Sequence, residues 1–78
     1  MKKNNQRESN IEVMSQRLKM LRKQCGLSQL QVAEKLYVTR SAYANYEQGT
    51  RRPGADIIEK LAELFNVSPD YLLGVINK

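Results

Sequence analysis

A chain of 78 residues, 41% of them hydrophobic, can bury one small core and leaves no room for a second domain. A net charge of +5 with no histidine and one cysteine, Cys25, excludes an internal disulfide and the usual metal constellations, so no metal is expected. No apolar run approaches the roughly 20 residues that cross a bilayer, and Met1-Lys2-Lys3 leads into polar residues instead of a signal-peptide core. A cytoplasmic location away from any membrane is therefore expected.

Residues 1–10 are polar, carry Lys2, Lys3 and Arg7, and read as a flexible tail that is either disordered or an arm along a duplex. A first helix is expected from about Ile11 to Gln24. In it Met14, Leu18, Leu21 and Cys25 form one apolar stripe, which makes Cys25 a small buried hydrophobe, and Gly26 ends it. A second helix over 29–36 is announced by Ser28 and, three residues on, Gln31, a capping-box pair that satisfies two otherwise orphaned amides. Thr39 is the N-cap of a third helix over 40–48. Val32, Ala33, Leu36, Val38, Tyr43 and Tyr46 place apolar groups on the facing sides of these two helices, with a small residue where the backbones approach. The outward face of the third helix is then Arg40, Ser41, Ala44, Asn45 and Gln48.

A fourth helix begins near Ala55, after Pro53-Gly54, aligns Ile58, Leu61, Ala62 and Phe65 on one face, and closes at Asn66. The fifth is short: Ser68 caps it, Pro69 takes the first helical position where its missing amide costs nothing, and Gly74 ends it. The expectation is an all-α, compact five-helix domain over 11–76, with 77–78 as the chain end.

Charge is unevenly distributed. Residues 15–53 hold eight basic side chains against Glu34 and Glu47, a local +6, whereas 54–78 carry −2. Positive charge thus gathers on the segment with the outward polar row, as release of counterions from a phosphate backbone would favour. Lys19, Lys23 and Lys35 taken singly are read as solvated surface charge in preference to phosphate contacts. A short row of hydrogen-bonding side chains on a slim helix suits a DNA major groove.

The segments Leu27-Ser28-Gln29, Val32-Ala33, Leu36-Tyr37-Val38, Thr39 and Tyr46-Glu47-Gln48-Gly49 resemble the helix-turn-helix of the phage repressor and Cro family, the XRE-like regulators. The resemblance runs from about Met14 to Gly74 and includes the closing Val67-Ser68-Pro69-Asp70-Tyr71-Leu72-Leu73-Gly74. It implies a lambda-repressor-like DNA-binding domain whose ligand is double-stranded DNA and which needs no cofactor. It further implies that Gln29 contacts the DNA backbone while bracing a side chain of the recognition helix. Arg40, Ser41 and Asn45 fall at its base-reading positions, and Arg51 and Arg52 in its loop along the backbone. Arg22 and Glu47 match a structural ion pair beneath the DNA-facing surface.

Residue chemistry refines these assignments. Gln29 sits in the first turn of its helix, where the positive helix terminus and an amide both suit a phosphate. Arg40 can bridge O6 and N7 of guanine; Asn45 either pairs with adenine or holds a phosphate; Ala44 can meet a thymine methyl. Thr39 and Gln48 are read as phosphate contacts. Arg51 and Arg52 are assigned to phosphate, with a salt bridge to the acidic C-terminal half as the alternative. Tyr43 and Tyr46 are read as core, each phenol needing a partner or water.

Three positions depart from the family pattern. Tyr37 replaces a glycine at a turn that favours left-handed backbone, so the turn is either strained or altered. Gly54 replaces a capping serine, and Leu30 stands where polar residues are usual. The expected function is a sequence-specific transcriptional repressor that covers promoter DNA as a homodimer on a near-palindrome, recognition helices about 34 Å apart. Leu72, Leu73, Val75 and Ile76 are the expected dimerisation residues, being more apolar than a chain end requires. The competing expectation is an antitoxin or adaptor acting through that same apolar surface. An enzyme is not expected, for want of a histidine, a nucleophile with its base or a phosphate-cradling glycine loop.

Overall fold

The computed structural model describes the backbone of residues 6–77 and the side chains of 11–77. Lys2 and Lys3 of the expected arm, and the side chain of Arg7, lie outside the described residues. Five helices follow in order: α1 (Gln6–Gln24), α2 (Gln29–Leu36), α3 (Arg40–Gln48), α4 (Ala55–Phe65) and α5 (Pro69–Leu72). There is no strand among the described residues.

Helix α1 begins at Gln6, ahead of the Ile11 expected from apolar spacing. Residues 6–10 offer no apolar stripe, but they contain neither proline nor glycine and include the good helix formers Gln6, Arg7 and Glu8. Propensity therefore extends the helix ahead of its first apolar position.

The C-terminus of α1 corrects the reading of Cys25, which is exposed. Gly26 takes a left-handed φ of 71°, its amide donates to the Lys23 carbonyl at 3.0 Å, and the Leu27 amide reaches the Arg22 carbonyl at 3.1 Å. This Schellman turn ends the helical stripe one position early and sends Leu27, not Cys25, against the core.

Helices α2 and α3 are started by side chains. Ser28 Oγ accepts the Gln31 amide at 3.1 Å, and Gln31 Oε1 accepts the Ser28 amide at 2.8 Å. Thr39 Oγ1 accepts the Ala42 amide at 3.1 Å. Between them Tyr37 adopts φ 60°, ψ 40° and its amide reaches the Ala33 and Glu34 carbonyls. The glycine-type turn geometry is thus kept and not altered. A tyrosine there carries left-handed strain of about 1–2 kcal/mol. Its side chain meets no steric obstacle because it is 88% exposed, with Lys60 Nζ 5.4 Å from the ring centroid.

The core joins Met14, Leu18 and Leu21 of α1, Val32, Ala33 and Leu36 of α2, Tyr43 and Tyr46 of α3, Ile58, Leu61, Ala62 and Phe65 of α4, and Leu72 of α5. The two tyrosine rings meet edge to face with centroids 6.2 Å apart, a favoured aromatic arrangement. Helix α4 has no side-chain cap at Gly54, and Asn66 closes it in the left-handed region at φ 58°. Leu72 is fully buried, which removes it from any surface for a second chain. A four-residue α5 can reach the core only by inserting its one fully apolar inward side chain, and that side chain is Leu72. Leu73 is half-buried against the core, leaving Val75 and Ile76 exposed.

The end of the chain is held by Arg17 of α1. Its guanidinium lies 4.1 Å from the Tyr71 ring centroid, donates to the Tyr71 carbonyl, and donates to the Ile76 carbonyl at 2.8 Å. Stacking and hydrogen bonding on one planar cation are complementary uses of arginine.

Candidate nucleic-acid interface

Glu47 lies on the inward side of α3 and is 4% exposed. A carboxylate so placed is tolerable only with its oxygens engaged. Oε2 accepts Arg22 Nε at 2.6 Å and the Tyr43 hydroxyl at 2.6 Å; Oε1 accepts Arg22 Nη2 at 3.2 Å and Gln29 Nε2 at 3.1 Å. Arg22 Nη1 donates in addition to the Leu27 carbonyl at 2.9 Å. One carboxylate therefore ties α1, α2 and α3 together. Among the described residues no buried side-chain nitrogen or oxygen is left without a partner.

The electrostatics follow from this geometry. Burial opposes the charge on Glu47, but hydrogen bonds from Arg22, Tyr43 and Gln29 together with the Arg22 cation outweigh it and hold its carboxyl below the usual range. The hydrogen bond to Glu47 raises Arg22 further above its already high value. Burial, then the hydrogen bond to Glu47, pushes the Tyr43 phenol well up, so it stays a donor. Arg22 and Glu47 are thus a bidentate charged pair with a phenol and an amide completing the carboxylate shell.

On the opposite side of α3, Arg40, Ser41 and Gln48 are exposed, and Ala44 and Asn45 are half-buried. Thr39 is exposed at the helix start, where its hydroxyl is engaged as the cap. Gln29 is half-buried: one of its two amide hydrogens is directed to Glu47, and its carbonyl oxygen has no partner among the described residues. Arg51 and Arg52 are exposed in the loop after α3. Neither forms a salt bridge with a described carboxylate, so the alternative of a bridge to the acidic half is not realised. Leu30 is 49% exposed beside Gln29 in α2.

Two participants were not singled out from sequence. Arg17 stood out only as charge, because its partners lie 54 and 59 positions away. Thr50 follows Gly49, whose φ of 78° ends α3. The Thr50 amide reaches the Asn45 carbonyl at 3.1 Å, and its hydroxyl lies 3.2 Å from Asn45 Oδ1. A residue one past a helix-ending glycine habitually lies over the last turn, so this pairing had a local signal.

Two capped helices joined by a left-handed turn, the second outwardly polar and braced from behind by a satisfied buried ion pair, define a helix-turn-helix domain. The chain belongs to the helix-turn-helix family, of Cro/CI (XRE-like) type, whose model matches residues 18–72. It is similar to the HTH-type transcriptional regulator ImmR of Bacillus subtilis (strain 168), 44% identical over 61 residues that make up 78% of this chain and 48% of ImmR. With the HTH-type transcriptional regulator AnsR of the same organism it is 43% identical over 58 residues, 74% of this chain and 50% of AnsR. The chain spans about half the length of these two relatives. Among solved structures it resembles the restriction-modification controller protein C.AhdI from Aeromonas hydrophila, with a TM-score of 0.74 and 33% identity, covering 82% of this chain and 97% of that one.

Proposed function

We propose that this domain is a sequence-specific double-stranded DNA-binding transcriptional regulator that inserts α3 into the major groove and represses by covering promoter DNA. The observation that carries this reading is the two-sided character of α3: a hydrogen-bonding row outward and a fully engaged Glu47 inward. Arg40, Ser41, Ala44 and Asn45 read base edges, with Arg40 as the guanine contact. Gln29, Thr39, Gln48, Arg51 and Arg52 hold phosphates; these contacts position the domain and carry no sequence information themselves. The Arg22–Glu47 pair makes no DNA contact in this scheme. It holds α3 at a set angle against α1 and aims Gln29.

Two copies related by a two-fold axis read a near-palindrome, recognition helices about 34 Å apart. With Leu72 withdrawn into the core, Val75 and Ile76, 64% and 41% exposed, with the half-buried Leu73, are the residues for self-association.

Fluorescence anisotropy on duplexes tiled from the gene's upstream region, with scrambled competitor and a salt series, tests the proposal. Tight binding to one near-palindromic tile is expected, with Arg40→Ala relaxing base preference there by about 1–3 kcal/mol. Replacing Arg51 or Arg52 by alanine should weaken all sequences alike and flatten the log–log salt slope by about 0.9 for each phosphate no longer neutralised. Weak binding that ignores sequence on every tile would overturn the reading and favour an adaptor working through Val75 and Ile76.

A further inference from the structure

We propose that Thr50 decides which end of the Asn45 carboxamide faces DNA, making Asn45 a donor that favours an acceptor edge, guanine N7/O6 or thymine O4, over adenine. The inference rests on the placement of α3 in the major groove proposed above. Adenine is the usual partner of an asparagine that can donate and accept at once, through its N6 amino group and N7. That pairing needs both ends of the carboxamide pointing outward.

The local hydrogen bonds deny one of them. The Thr50 hydroxyl has a single proton to donate and lies 3.2 Å from Asn45 Oδ1 and 3.3 Å from the Asn45 carbonyl. That carbonyl already accepts the Thr50 amide at 3.1 Å and at most shares the Gly49 amide, which lies 3.3 Å from the Tyr46 carbonyl, so it is the more occupied of the two acceptors. Asn45 Oδ1 has no other donor among the described residues. Oδ1, the nearer and otherwise unoccupied acceptor, takes the hydroxyl proton. With the amide turned the other way, the hydroxyl would accept from Nδ2 and its proton would fall to the carbonyl that the Thr50 amide already occupies.

With Oδ1 held inward by Thr50, Asn45 shows only its NH2 to the groove. An NH2 group can bridge the two acceptors of guanine or meet O4 of thymine; against adenine it keeps N7 alone, beside an N6 amino group that then finds no acceptor on Asn45. Thr50 is thus a positioning residue, absent from the base-reading set and acting through Asn45.

The test compares the four base pairs at every position of the selected operator for the wild-type protein, Thr50→Val, Thr50→Ser and Asn45→Ala. At one position the wild-type protein should favour guanine or thymine, and Asn45→Ala should lose that preference. Thr50→Val, isosteric and without the hydroxyl, should bring adenine roughly three- to ten-fold closer to the favoured base at that position only. Thr50→Ser should keep the wild-type preference, with the same melting temperature for both Thr50 variants as the check on folding. A uniform loss over all positions in Asn45→Ala puts the amide on a phosphate and overturns the proposal, as does a wild-type preference for adenine there. If the wild-type protein selects an operator and Thr50→Val reads it identically, the role of Thr50 falls while the regulator reading stands; if it selects none, both fall.

Discussion

Replacing Glu47 by glutamine probes the link between α3 and the rest of the domain with the least change in shape. The wild-type carboxylate accepts four hydrogen bonds, two of them from Arg22 at 2.6 and 3.2 Å. Glutamine keeps one acceptor oxygen but sets an NH2 against donors from Arg22, Tyr43 or Gln29. It also leaves the Arg22 side chain, 13% exposed, without its anion. Breaking a buried pair from one side costs about 3–5 kcal/mol, against a total stability of about 4–12 kcal/mol for a domain this size. Urea unfolding followed by circular dichroism should therefore show Glu47→Gln near the edge of stability, and Arg22→Met similarly weakened. The double replacement Arg22→Met with Glu47→Leu should recover part of the loss, because no charge is then stranded.

Acid titration supplies an independent arm of the same test. The Glu47 carboxyl is depressed in the folded state from its ordinary 4.5. In the window below that value the unfolded chain binds the proton more readily, so stability rises with pH there. The contribution is complete above about pH 4.5 and is lost as pH falls through the folded value. Glu47→Gln should lack this component, leaving a shallower acid limb. A Glu47→Gln protein within about 1 kcal/mol of wild type, with an unchanged acid limb, would refute the assignment of a structural hub to this carboxylate.

Three further outcomes follow from the packing. Leu72→Ala should cost about 2–5 kcal/mol by opening a core cavity, whereas Val75→Asp and Ile76→Asp should leave stability within about 0.5 kcal/mol and lower self-association in sedimentation; the reverse pattern would place Leu72 at the surface after all. At the α2–α3 turn, Tyr37→Gly should be near neutral, since relief of about 1–2 kcal/mol of left-handed strain is offset by the entropy of glycine and removal of the ring from beside Lys60. Tyr37→Val should be clearly worse in the same melting assay, because a branched Cβ fits the left-handed region poorly. Arg17→Ala should cost about 1–3 kcal/mol and speed amide hydrogen exchange at Val75, whose amide donates to the Asp70 carbonyl between the Tyr71 and Ile76 carbonyls that Arg17 holds; unchanged exchange there would count against that clamp.

The start and end of most elements were legible in the sequence because they depend on neighbours a few residues away. Ser28 with Gln31, Thr39, Ser68 with Pro69, Gly26 and Asn66 each act through hydrogen bonds or torsions within one helical turn. The apolar spacing of α2, α3 and α4 likewise named the residues that now fill the core. The start of α1 escaped the same reading because residues 6–10 offer no apolar periodicity, only helix propensity. The outward row of α3 was legible as the remainder once the inward face had been assigned.

Side-chain environments were decided by tertiary structure. Arg22 and Glu47 are 25 positions apart and their pairing was implied only by resemblance to a family; that Tyr43 and Gln29 complete the same carboxylate appears only when α1, α2 and α3 are packed. Cys25 and Leu72 exchanged their expected roles for one reason: an apolar residue near a helix end is buried or exposed according to where the chain turns next, and periodicity stops carrying information at that turn. By itself the sequence determined five short helices, their caps and the polar row. Which cation holds which carboxylate, and which leucine lies inside, was settled by contacts between residues distant in the chain, because burial and charge pairing are properties of the assembled core and not of any single helix.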